Sequence, residues 1–75
     1  MEFDFEFGKM TEKQMFETLE NLKGKHVILN FTDGSEIHSF EGEIIRFNNY
    51  VVRLKEKNGE RGFNLRFLVS GREVK

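Results

Sequence analysis

The chain has 75 residues, a net charge of −1, and no cysteine, proline or tryptophan. A length of this order holds one domain with a modest core, and the lack of cysteine excludes disulfides and thiolate metal sites. No apolar run reaches membrane-span length and no signal-peptide pattern opens the chain, so a cytoplasmic location is expected.

Nine Phe and one Tyr argue for a packed core rather than a disordered chain. The small net charge hides an asymmetry. Residues 1–43 carry ten acids and four bases, whereas residues 44–75 carry eight bases and three acids. A split of this kind points to an anionic partner for the basic half. It is equally what solvent-facing Arg and Lys on strands produce, or two halves that attract each other.

Residues 1–10 read as an acidic, aromatic arm. Phe3, Phe5 and Phe7 alternate with Glu2, Asp4 and Glu6, which gives one apolar and one acidic face if the segment is extended. Such an arm suits an edge strand added to a sheet, its own or a neighbour's. An unstructured tail is the other reading.

Residues 11–75 form the expected domain. Thr11 and Gln14 make a Thr-x-x-Gln capping box, and Met10 and Met15 stand at the positions of a hydrophobic staple. These signals predict a helix over Thr11–Leu22, with Met15, Phe16, Leu19 and Leu22 as its apolar stripe. Gly24 follows as a C-terminal stop.

The remainder reads as strands. Lys25–Thr32 alternates, with Val27, Leu29 and Phe31 on one face, and Asp33-Gly34 is a hairpin turn pair. Ser35–Phe47 is too long for a flat strand, and Gly42 marks a bend within it. Asn48-Asn49 is a tight turn into a strand over Tyr50–Lys57. Asn58-Gly59 signals a type I′ turn. Glu60–Val69 is expected as one strand with Phe63, Leu65, Phe67 and Val69 on one face. Ser70-Gly71 is then a short turn into a last strand over Arg72–Lys75.

This pattern, from Val27-Ile28-Leu29 through Asp33-Gly34 and Gly42 to Leu54, and again from Phe67 to Val74, resembles the Sm-like family, which includes the bacterial Hfq proteins. The resemblance covers nearly everything after residue 10. It implies a helix on a small, strongly bent, five-stranded antiparallel barrel of SH3 type, ring assembly, and binding of single-stranded RNA. Two loops carry the RNA contacts in that family. The first corresponds to Asn48, Asn49 and Tyr50, with Tyr50 at the position of the base-stacking aromatic. The second corresponds to Ser70-Gly71, where the family usually has Arg-Gly. Asn48 stands where the family usually has Asp, and the bacterial Tyr-Lys-His signature is absent. Arg72, one residue past Gly71, is the candidate for the missing charge, and Arg46 a second phosphate contact.

The expected core is Phe16, Leu19, Val27, Leu29, Phe31, Ile44, Phe47, Val51, Leu54, Phe63, Leu65 and Phe67. The expected function is binding of short single-stranded RNA, with uridine-rich tracts among the candidates, by a homo-oligomeric ring that self-associates through edge strands. The expected RNA-binding residues are Tyr50, Asn48, Asn49, Ser70, Gly71, Arg72 and Arg46. The competing reading is a structural or protein-interaction barrel that does not bind RNA. No catalytic, metal or cofactor site is expected. His26 and His38 lack ligand spacing, and there is no phosphate-cradling glycine loop or nucleophile elbow.

Overall fold

The computed structural model describes residues 4–75. One helix and six strands fold together, with every strand pair antiparallel. The strands are β1 (Asp4–Phe5), β2 (His26–Thr32), β3 (Ile37–Phe47), β4 (Val51–Glu56), β5 (Gly59–Asn64) and β6 (Leu68–Glu73). They form a single sheet in the order β1-β6-β2-β3-β4-β5. The β-rich, antiparallel expectation holds. The strand count is six rather than five, and the two ends of the sheet, β1 and β5, are not paired with each other.

The helix α1 (Glu12–Leu22) begins where its cap dictates. Thr11 Oγ1 accepts the Gln14 N–H at 3.1 Å, and Gln14 Oε1 accepts the Thr11 N–H at 2.9 Å. These bonds satisfy two otherwise orphaned amides at the helix start. Leu19 and Leu22 are buried, and Phe16 stacks on Phe47 of β3 with ring centroids 6.2 Å apart. Past the helix end, Gly24 N–H donates to Ile44 O at 2.8 Å, and Ile44 N–H donates to Lys25 O at 3.2 Å. The helix is thereby fixed to the middle of β3.

β3 serves two partners in succession. Its first part pairs with β2 from Ile37 to Glu43, and its second with β4 from Glu43 to Phe47. Gly42 lies at the changeover. A Cβ there would stand 2.6 Å from Lys55 O, so only glycine lets β3 and β4 approach this closely. A register shift between Ile44 and Arg46 adds a bulge just beyond it, which increases local twist and bends the strand.

The β4–β5 hairpin closes on Glu56 and Gly59, leaving Lys57 and Asn58 as the loop. It is not the type I′ turn expected. That turn needs positive φ at both loop residues, and among the described residues only glycines have positive φ.

The largest departure follows β5. Asn64 Oδ1 accepts the Arg66 N–H at 2.8 Å and starts a 3₁₀ turn over Leu65–Phe67. The expected continuous strand is therefore broken, and the inward phase is reset. Leu65 and Leu68 are buried, whereas Phe67 is 46% exposed. β6 then runs through Ser70-Gly71 instead of turning there, and Arg72 lies within it. In β4 the inward residues are Val52 and Leu54, with Val51 only half-buried.

The expected core otherwise forms. Leu19, Val27, Leu29, Phe31, Ile44, Leu54 and Leu65 are buried, and Phe16, Phe47 and Phe63 pack against them. Phe7 joins the buried set from the arm. It lies in a 3₁₀ turn (Phe7–Lys9) that follows β1. β1 itself lies on the outer edge of β6, Asp4 opposite Arg72 and Phe5 opposite Gly71. Phe3 lies outside the described residues. No helix among the described residues is long and apolar enough to cross a membrane.

Candidate nucleic-acid interface

Asn48 shapes the turn between β3 and β4. Its Oδ1 accepts the N–H groups of Tyr50 at 2.8 Å and Val51 at 2.9 Å, and its own N–H donates to Val51 O at 2.9 Å. A short polar side chain that bonds the backbone two residues on is a standard turn former. Asn48 Oδ1 is thus committed to the loop. The fixed turn holds Tyr50 outward, 73% exposed.

The 3₁₀ turn after β5 is brought beside this loop by the backbone. Leu65 N–H donates to Tyr50 O at 2.8 Å. Between the two loops and the start of α1 lies a groove of about 570 Å³. Asn49, Tyr50, Asn64, Leu65 and Arg66 line it together with Glu12, Met15 and Phe16 of α1. Arg66 is exposed and makes no ion pair among the described residues. An aromatic ring, a guanidinium and two amides in one groove offer a π face, a phosphate partner and base-edge hydrogen bonds.

Of the sequence candidates, the structure brings only Asn49 and Tyr50 into this groove. Ser70, Gly71 and Arg72 line β6 instead. Ser70 Oγ accepts from Asn30 Nδ2 at 2.9 Å, and Asn30 Oδ1 accepts from Ser39 Oγ at 2.5 Å. This chain of polar side chains ties β3, β2 and β6 together. Gly71 is buried beneath Phe7 and beside Leu29. Arg72 sits between Ile28 of β2 and Asp4 of β1. Arg46 stands opposite Arg53 and projects from the face opposite Phe47, away from α1. Arg66 and Asn64 were hidden to sequence reading inside a presumed strand. The available signal was the Asn64 side chain, which can start a turn by accepting the N–H two residues on.

Two bases of residues 44–75 pair with acids of the same half, Arg53 with Glu60 at 3.5 Å and Arg61 with Glu56 at 3.4 Å, and Lys25 of the acidic half reaches Glu73 at 3.9 Å. Arg61 also lies over the rings of Phe40 and Phe63, at 4.9 and 5.1 Å. Across the Leu65–Phe67 turn is a second, smaller cleft of about 190 Å³, walled by Phe31, Phe40, Phe63 and Phe67.

The β2–β3 turn gathers Asp33, Glu36 and His38, whose ligating atoms lie within 4.8 Å of one another. Sequence spacing did not reveal this cluster. Asp33 Oδ1 accepts the N–H groups of Glu36 at 2.8 Å and Ser35 at 2.9 Å, while Oδ2 contacts His38 Nε2 at 3.0 Å. The bonds from Glu36, Ser35 and His38 hold the Asp33 carboxyl well below its ordinary range. The hydrogen bonds of the turn account for this arrangement. At the other end of β2, His26 Nε2 meets Glu41 Oε2 at 2.6 Å, and both side chains are about half exposed.

The chain matches no known protein-family model, no curated protein and no solved structure.

Proposed function

We propose that this chain is a small Sm-like barrel that binds short single-stranded RNA in the groove between the β3–β4 turn and the Leu65–Phe67 turn. The observation that carries this reading is Tyr50, fixed outward by Asn48 and sharing its groove with Arg66, which makes no ion pair among the described residues. In this reading Tyr50 stacks on a base, Arg66 meets a phosphate, and Asn49 and Asn64 address base edges. The strand order β6-β2-β3-β4-β5 and the bent β3 support the scaffold half of the proposal. The proposed homo-oligomeric ring needs a second sheet edge. That edge is covered by β1, so the ring forms once Asp4–Phe5 leaves β6.

A labelled oligo-uridine titrated at low and at moderate salt tests the proposal. Affinity falls steeply with salt if phosphates are engaged. Absence of binding at low salt by folded protein removes the RNA reading. The protein-interaction reading then gains, favoured by the exposed Phe67 and its aromatic cleft.

A further inference from the structure

A sheet with two ends has two chances to pair with another chain. Here one is taken, because β1 and the 3₁₀ turn after it lie along β6. Among the described residues the β1 end presents Asp4 and Phe5. The other end is β5, with six residues from Gly59 to Asn64, all exposed except the half-buried Phe63.

The phase of the ladder says which β5 groups face outward. Leu65 N–H bonds to Tyr50 O, so that pair is hydrogen-bonded. Antiparallel pairs alternate between bonded and non-bonded. Val52–Phe63, Leu54–Arg61 and Glu56–Gly59 are therefore the bonded pairs of the β4–β5 ladder. The N–H and C=O groups of Glu60, Gly62 and Asn64 point away from β4. These outward groups form a template for another strand.

We infer that, with its arm docked, the chain forms a two-fold dimer by antiparallel pairing of β5 with β5 of a second copy, with Gly62 on the dyad. Three registers keep outward groups opposite one another near the strand centre. With Arg61 on the dyad, Arg61 faces Arg61, and like charges directly opposite are unfavourable. With Phe63 on the dyad, Glu60 runs past the last residue of the partner strand. With Gly62 on the dyad, Gly62 faces Gly62 and Glu60 faces Asn64 in both directions. Every outward residue of β5 is then used. The same register sets Arg61 opposite Phe63 of the other copy, extending the stack that Arg61 already makes on Phe40 and Phe63. The absent side chain at Gly62 lets the two backbones meet without a clash on the outer face. Because each copy offers one such edge among the described residues, the assembly closes at two. This inference concerns the sheet edge and does not rest on RNA binding.

The test is amide hydrogen exchange on the unmodified chain at low and high protein concentration, with sedimentation equilibrium alongside. The expected result is a reversible dimer and no larger species. Protection should rise with concentration at Glu60, Gly62 and Asn64, and remain constant at Arg61 and Phe63, whose amides already face β4. Gly62→Pro removes the dyad N–H of both copies without removing a β4–β5 backbone bond, its Cβ asking only the side-chain ends of Val51 and Arg53, each 3.1 Å away, to give, and should weaken the dimer at least about tenfold. A chain that stays monomeric to about 1 mM, a species larger than a dimer with the arm still protected, or concentration-dependent protection outside β5 would overturn the inference.

Discussion

Phe7 is seated on Gly71. A Cβ at Gly71 would lie 3.1 Å from Phe7 Cε2 and 2.7 Å from Leu29 Cδ2. Phe7 is 4% exposed and Leu29 fully buried. The arm is thus held by Phe7 over Gly71, with Phe5 packed against the core beside it and the short β1 ladder extending the contact along β6.

Gly71→Ala should therefore destabilise the fold by about 1–3 kcal/mol, the usual range for overpacking a core. Of the two crowded side chains, Phe7 belongs to the element that can leave. Chemical denaturation should show the loss of stability, and the amide of Phe5 should exchange faster than in the parent. Unchanged exchange at Phe5 would mean that Leu29, not the arm, absorbs the methyl group.

Gly42→Ala should be at least as damaging. The added methyl meets the backbone oxygen of Lys55 at 2.6 Å, and a backbone cannot turn aside as a side chain can. The β3–β4 ladder must open at the point where β3 changes partners. A fall in stability of about 1–3 kcal/mol is expected, read as a lower midpoint in urea. A midpoint within error of the parent would show that the bend does not depend on this close approach.

The Asp33 turn gives a pH dependence with a definite sign. Its carboxyl is held below the ordinary value of about 3.9 by the amides of Glu36 and Ser35 and by His38. A depressed folded-state value means stability that is present above the unfolded value and lost as pH falls through and below about 4. Asp33→Asn keeps an oxygen acceptor for the two amides but cannot titrate. Its stability deficit relative to the parent should shrink between about pH 6 and pH 2, measured by urea denaturation at several pH values. A deficit that stays constant would remove Asp33 from the acid response.

The local signals in the sequence were strong where one residue controls one bond. Thr11 and Gln14 announced the helix start, and the alternation of Val27, Leu29 and Phe31 announced β2. Gly42 announced the bend because its surroundings demand a missing Cβ. The same logic misled at Ser70-Gly71. There the glycine serves a close contact with Phe7 from the far end of the chain, which composition cannot distinguish from a turn. Alternation failed after Phe63 because one side-chain bond, from Asn64 to Arg66 N–H, inserts a 3₁₀ turn and shifts the phase. That shift exposes Phe67, buries Leu68 and carries Arg66 to the side of Tyr50. The candidate groove was therefore half legible. Its first loop could be read locally, whereas its second exists only because the chain folds back across β4 and β5.

The most direct test of the account is a map of amide and side-chain NMR shifts as a short oligo-uridine is added to the folded chain. The groove predicts shifts concentrated at Asn49, Tyr50, Asn64 and Arg66, with little change at Ser70 or Arg72. It also predicts weaker binding in both Tyr50→Ala and Arg66→Gln, with loss of one stacked base costing on the order of 1–3 kcal/mol. Shifts centred on β6, or equal binding by the parent and both variants, would contradict it.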